Sequence, residues 1–466
     1  MRFQVVTLGC DKNTVDSERY RAQLIDHGGV QVADAETAEV IIVNTCGFID
    51  AAKRESIDAI VAAGRLKGEG SATAVVAVGC MVERHKAELV EALPEVDLFL
   101  GASETEQLVP LLRARGLIGD PVTVHPGQRV YAGDTPFVRY LKVSEGCDHG
   151  CAFCAIPLMR GKHRSFALDD IVREAQLLEL QGAREVNLVA QDLAHYGRDR
   201  TDGVRLPDLL EALVRETSIP WYRNMYLYSA GITPRLLEVI ADQPRIVRYL
   251  DMPIQHASDA VLERMRRPER QRTIREKVAR FREAVPGVAI RTTCIVGFPG
   301  ETAADVAQLM DFLREIEFER VGVFTYSPQE GTRAATLADD VPESLKRERL
   351  EAVQELQRHI TAERYESRIG ALAPVLIEAS AGTDGVARGR LPWQADDIDG
   401  VTFVRSDAAP GSLVEARVTA VQDDYDFAVE YLRTLEGPAA PTPTPARGRA
   451  LPVTTALASS VGSFGR

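Results

Sequence analysis

The sequence predicts an α/β fold in three parts: an N-terminal doubly wound parallel α/β domain, a central partial (β/α)6 barrel and a small C-terminal β-barrel. Three observations carry this expectation. Continuous apolar runs alternate with helical segments through residues 1–116, the pattern of a parallel sheet buried on both faces. After residue 136 the alternation restarts with a longer stride and six strand–helix units. Beyond residue 370 it gives way to short strands separated by turns.

In the first part, 1–116, strands are expected at 3–8, 40–43, 74–78 and 98–100 and helices at 17–27, 51–63 and 83–93, with Gly28-Gly29 closing the first helix. Residues 117–132 hold Pro121, Pro126 and Gly127 and read as a linker. The central part, 133–366, has expected strands at 138–143, 185–190, 221–228, 248–252, 288–296 and 320–326, with helices between them. Six units are too few for a closed eight-fold barrel. An open one is expected, with its site at the carboxyl ends of the strands and room for a bulky substrate. A helix over 345–368 leads into the third part, 367–437, with strands at 374–378, 401–404, 413–421 and 426–431. The tail, 438–466, is rich in Pro, Ala, Thr and Ser and is expected to be disordered.

The formal charge of −13 over 466 residues disfavours non-specific nucleic-acid binding and suits a basic partner. No stretch has the length and apolarity of a membrane span, and the N-terminus lacks the pattern of a secretion signal. A cytoplasmic monomer is expected. In that compartment, seven cysteines point to metal binding or catalysis rather than to disulfides.

Three of them form the run Cys147-Asp-His-Gly-Cys151-Ala-Phe-Cys154, directly after the first strand of the central barrel. Three thiolates on one loop hold three irons of a 4Fe-4S cluster and leave the fourth open to a substrate or cofactor. The alternative is a zinc site with His149 or His163 as fourth ligand. Cys10, Cys46 and Cys80 each end an apolar strand, which in a parallel sheet brings them to one edge. A second three-cysteine cluster fits that placement, and so does packing of three unrelated thiols. Cys294 lies inside an apolar strand and is read as core.

These features resemble the radical S-adenosylmethionine methylthiotransferases. The C-x3-C-x-aromatic-C loop looks like their signature, and Leu8-Gly9-Cys10-Asp11-Lys12-Asn13 with Asn44-Thr45-Cys46 looks like their second-cluster domain. The third part is similar to a TRAM domain. The run from Leu8 to Glu18, Ala190-Gln191-Asp192 with Tyr196-Gly197, the stretch Met252 to Ser258, and Asp423-Asp424-Tyr425-Asp426 look like the branch acting on an aspartate of a ribosomal protein. Cys294, where an aromatic is more usual, and Phe427-Ala428-Val429-Glu430 depart from that branch.

The resemblance implies two 4Fe-4S clusters, on Cys10, Cys46 and Cys80 and on Cys147, Cys151 and Cys154. It further implies S-adenosylmethionine as cofactor, cleaved to a radical that takes hydrogen from the aspartate Cβ of the twelfth small-subunit protein. The sulfur donor and the reductase stay unidentified. Gln191, Asp192, His256 and Gly297 are candidate cofactor contacts, with capping, loop and tight-turn roles as the alternatives. The rival branch modifies transfer-RNA adenosine. A non-enzymatic metal-binding module on the ribosome is the other rival. Residues 371–436 carry twelve acidic against five basic residues, a net −7 that suits a basic protein better than RNA.

Overall fold

The computed structural model describes residues 1–122, 129–131 and 136–438, so nearly all of the tail and part of the 117–132 linker fall outside the described residues. The N-terminal part is a five-stranded all-parallel sheet in the order β2-β1-β3-β4-β5. Its strands are β1 (Arg2–Thr7), β2 (Val30–Gln31), β3 (Val40–Thr45), β4 (Ala74–Gly79) and β5 (Leu98–Gly101). β3 and β4 are buried along their whole length. Ile41, Val43, Val75 and Ala77 feed the core on one face, and Val40, Ile42, Val76 and Val78 the core on the other. Two-faced burial is why both strands read as unbroken apolar runs rather than as alternations.

Helix α1 (Asp11–Asp26) starts six residues before the expected position. Its first turns carry Lys12, Asn13, Asp16, Ser17 and Glu18, all buried. Apolar periodicity does not register polar groups that are buried because they serve a site. α2 (Asp50–Glu69) and α3 (Cys80–Ala92) follow β3 and β4. α3 begins on Cys80 itself, three residues earlier than expected, behind Gly79 at φ 102°.

The central sheet is open and parallel, in the order β13-β12-β11-β10-β9-β6. The strands are β6 (Val138–Lys142), β9 (Glu185–Val189), β10 (Trp221–Asn224), β11 (Ile246–Asp251), β12 (Ala289–Val296) and β13 (Arg320–Thr325). Between β6 and β9 lies a small antiparallel pair, β7 (Ser144–Glu145) with β8 (Arg164–Ser165), too short to stand out in the sequence. The strand expected over 221–228 ends at Asn224, because Tyr226 takes φ 61° and turns the chain out of the sheet.

The helix Glu343–Glu366 leads to a closed barrel in the order β14-β15-β16-β18-β17. Its strands are β14 (Leu372–Ala379), β15 (Val386–Arg390), β16 (Thr402–Arg405), β17 (Leu413–Gln422) and β18 (Asp426–Glu436). β15, Val-Ala-Arg-Gly-Arg, was not expected, since a glycine between two arginines reads as a turn. Among the described residues no helix is long and apolar enough to cross a membrane.

The barrel seats on the central sheet. Leu376, Ala395 and Leu413 share a core with Val138, Val189, Trp221 and Tyr249. Beneath it Glu185, fully buried, takes Arg223 Nε at 2.7 Å and Arg390 Nη2 at 2.6 Å, while Arg390 also reaches Glu378 at 2.6 Å. Burial alone would raise the Glu185 carboxyl, but the two guanidiniums hold it below its usual range. Tyr249 donates its hydroxyl to Asp399 at 2.5 Å. Arg390→Ala strips a buried carboxylate of its partner, so it should destabilise the protein by about 3–5 kcal/mol. Denaturant unfolding measures this, and limited proteolysis should show the junction at 367–371 opening first.

Candidate active site

Cys10 caps α1 directly after β1, Cys46 follows β3, and Cys80 follows β4. β1, β3 and β4 are neighbours, so all three thiols stand at one carboxyl edge. Their loops converge because two positions are glycine. Gly9 has φ 90°, and a Cβ there would fall 2.7 Å from Cys46 Cβ and 2.9 Å from its Sγ. At Gly79, φ 102°, a Cβ would fall 2.5 Å from Asn44 Oδ1. Only glycine tolerates both the conformation and the approach.

Asn13 pins this edge, its amide donating to Leu8 O at 2.7 Å and Thr45 O at 3.1 Å. Asn44 donates to Asn13 O at 2.9 Å, and Ser56 Oγ accepts from Cys46 N at 2.9 Å. Burial pushes the Cys46 thiol up to about 12, and the Cys80 thiol up to about 11 despite the neighbouring Arg160.

The second triplet lies on the loop after β7. Gly146, φ 79°, lets the loop pass the chain at Lys162, where a Cβ would fall 2.1 Å from the carbonyl oxygen. Cys147 N donates to Gly161 O at 3.1 Å, and Ala152 N donates to Met265 O at 2.9 Å. Phe153 packs against a small apolar cluster containing Met265, Phe298 and Tyr326. Burial raises Cys147 to about 11 and Cys154 to about 12. Arg267 Nη1 lies 3.8 Å from Cys151 Sγ and its guanidinium sits 4.1 Å over the Tyr228 ring. On Tyr228 the His149 ring stacks at 4.1 Å, and His149 Nε2 pairs with Asp192 Oδ2 at 2.7 Å.

Both triplets fit iron–sulfur clusters. Each is three soft donors, and burial favours the neutral thiol at Cys46, Cys80, Cys147 and Cys154, which a bound metal would deprotonate. Among the described residues, the one group of three or more His, Cys, Asp or Glu donors within 4.8 Å of one another is His149, Asp192 and His195. Neither cysteine triplet is drawn in that tightly. His149 turns to Asp192, and His163 Nε2 turns to Ser165 Oγ at 3.1 Å, so neither imidazole nitrogen named is spent on the thiols.

Of the other expected contacts, Asp192 joins the His149 cluster, while Gln191 Nε2 donates to Glu145 at 2.7 Å. His256 and Gly297 meet elsewhere, at Glu301. His256 Nε2 lies 3.5 Å from that carboxylate, and Gly297 N donates to it at 2.9 Å. A Cβ at Gly297 would fall 2.3 Å from Lys346 Cγ, so packing against the helix Glu343–Glu366 requires this glycine. Cys294 is fully buried in β12.

Sequence reasoning missed a residue that reaches the first triplet from the segment following the second. Arg160, six positions after Cys154, donates from Nε to Cys80 Sγ at 3.0 Å and from Nη2 to Asn13 Oδ1 at 2.5 Å. Its Nη1 meets Asp16 at 2.7 Å and Glu145 at 3.3 Å, and Lys142 meets the same two carboxylates at 2.5 and 2.6 Å. Burial opposes ionisation of Asp16, yet Lys142 and Arg160 hold it well below the usual carboxylate range. In the sequence Arg160 is only a basic residue closing a short helix.

The comparisons with known proteins agree with this geometry. Residues 2–101 match the family described as uncharacterized protein family UPF0004, residues 141–313 the radical SAM superfamily, and residues 369–431 the TRAM domain. The ribosomal protein uS12 methylthiotransferase RimO of Anaeromyxobacter sp. (strain K) is 43% identical over 97% of this chain and 97% of its own. That of Desulforudis audaxviator is 42% identical over 93% of this chain and 98% of its own. Among solved structures, the radical S-adenosylmethionine methyltransferase TsrM from Kitasatospora setae aligns with a TM-score of 0.53 at 13% identity, over 77% of this chain and 89% of that one. At that identity the likeness is one of fold.

Two tests follow from the site. Gly9→Val should disrupt the Cys10–Cys46 approach and lower iron content by about half after reconstitution, leaving the Cys147–Cys154 loop loaded. The raised thiols also set a pH dependence. Without metal, folding favours the protonated thiol, so that contribution to stability is present below the ordinary thiol value of 9.0 and is lost as pH rises through about 12 for Cys46. Denaturant titrations of the metal-free protein should show falling stability across that window, while metal affinity rises with pH up to it.

Proposed function

The chain belongs to the ribosomal protein uS12 methylthiotransferase (RimO) family, and from that premise we propose that it adds a methylthio group to the β-carbon of an aspartate in uS12. The observation that carries the reading is the placement of two cysteine triplets on either side of one seam, with Arg160 reaching across it to Cys80. If both triplets held clusters, a single substrate would have to reach both, so the two triplets would have to share one opening.

In this reading Cys147, Cys151 and Cys154 hold three irons of one 4Fe-4S cluster, and Cys10, Cys46 and Cys80 hold three of the other. When bound, S-adenosylmethionine supplies the radical that abstracts hydrogen from an unactivated carbon, and the methyl group. The protein's own residues bind, orient and shield. Asp192, fixed by His149 and by Tyr228 N at 3.1 Å, borders the cofactor together with Gln191. The knot of His256, Gly297, Glu301 and Arg349 supports the turn after β12 and so acts on the cofactor wall indirectly. Phe153 and its apolar neighbours keep water from the cysteine loop.

The substrate side fits a basic protein. In the C-terminal barrel Asp384, Asp407, Asp423 and Asp424 are exposed beside Arg388, Arg405, Arg417 and Arg433, and acidic residues outnumber basic ones twelve to five over 371–436, while Arg390 is turned inward to Glu185. The transfer-RNA alternative lacks this support, and relatives that match over nearly the full length, those of two Anaeromyxobacter strains among them, carry the uS12 name.

Anaerobic reconstitution followed by an assay with uS12 and reductant tests the reading. About eight irons per chain, S-adenosylmethionine cleavage and a methylthio mass gain on uS12 are expected. Cys151→Ala should abolish cofactor cleavage. Cys46→Ala should keep cleavage and lose methylthio transfer. Zinc in place of iron, or modification of transfer RNA alone, would overturn the assignment.

A further inference from the structure

We propose that Lys12 recognises the carboxylate of the substrate aspartate, a role that rests on the function proposed above. Lys12 lies two residues after Cys10 in the first turn of α1 and is buried. Its Nζ sits 3.2 Å from the centroid of the Tyr226 ring. Tyr226 donates its hydroxyl to Asp11 Oδ2 at 3.0 Å, so the ring is fastened to the same helix turn. Tyr226 O in turn accepts from Leu193 N at 3.0 Å, next to Asp192. The ammonium therefore stands between the cysteine edge of the N-terminal sheet and the mouth of the central barrel.

Three other cations near this seam already have carboxylate partners. Lys142 and Arg160 share Asp16 and Glu145, and Arg267 pairs with Glu269 at 3.3 Å. The carboxylates nearest Lys12 in sequence and across the seam are engaged too. Asp11 accepts from Tyr226, and Asp251 pairs with Arg291 at 2.8 Å and accepts from Tyr226 N at 3.2 Å. Among the described residues, Lys12 has no carboxylate within the 4.0 Å of an ion pair. A ring face holds a cation through its quadrupole but does not neutralise it. Buried charges are ordinarily paired, so this one is arranged for an anion that arrives. The side-chain carboxylate of an aspartate is bonded directly to the reacting β-carbon, so holding it on Lys12 would fix that carbon close to the Cys10 edge.

The test pairs two substrates, uS12 with aspartate or with asparagine at the modified position, against the reconstituted full-length enzyme, with rates expressed per iron bound. The wild type is expected to prefer aspartate. Lys12→Gln should lower the aspartate rate about 10- to 100-fold and move the aspartate-to-asparagine ratio toward one. Lys12→Arg should keep the preference. Equal slowing of both substrates by Lys12→Gln indicates a structural role and overturns the proposal. So does a wild type that treats the two alike, an outcome that needs no variant to fold. A wild type that leaves the aspartate substrate unmodified overturns the function beneath the proposal as well.

Discussion

The structure depends on a buried ion network at the seam between its first two parts. Asp16 of α1 and Glu145 of β7 face Lys142 and Arg160, and the side chains of Arg160 and Lys142 are 5% and 3% exposed. Such a network is expensive to desolvate, and well-packed apolar residues would join the two parts at less cost. What the charges add is direction. A guanidinium with Nε on Cys80, one terminal nitrogen on Asn13 and the other on two carboxylates admits one docking geometry. Apolar contact alone would let the sheet edge slide against the barrel mouth.

The same device recurs at the other end of the barrel. Glu185 stands at the start of β9 and takes Arg223 from β10 and Arg390 from β15. The central sheet is open and cannot brace itself by closure, as a full barrel does. It is held instead by the N-terminal domain at its mouth and by the closed C-terminal barrel across its inner side, each through a buried arginine. Rigid placement matters for the function proposed above, in which two clusters would serve one substrate, because small errors of position are costly in rate.

Much of the fold was legible in the sequence because it rests on burial of apolar area. β3 and β4 are buried on both faces and appear as unbroken runs, and the cysteines at their ends follow from parallel topology. The misses share another cause. The early start of α1, the outward turn at Tyr226 and strand β15 all arise where polar residues are buried in pairs. A buried arginine carries no periodicity, and its partners lie far away in the chain: Arg160 and Asp16 are 144 residues apart, Arg390 and Glu185 205.

The sequence by itself determined the three-part architecture and pointed to the six cysteines, because apolar patterning and strand-end spacing are local properties. The tertiary structure decided which groups stand beside each triplet. It gathered His149, Asp192, Tyr228 and Arg267 beside one loop and sent His256 and Gly297 to Glu301. It also set one buried lysine over the Tyr226 ring with no carboxylate, among the described residues, at ion-pair distance. Those outcomes depend on which charges survive burial, and a charge is stabilised by partners that only the folded chain brings within reach.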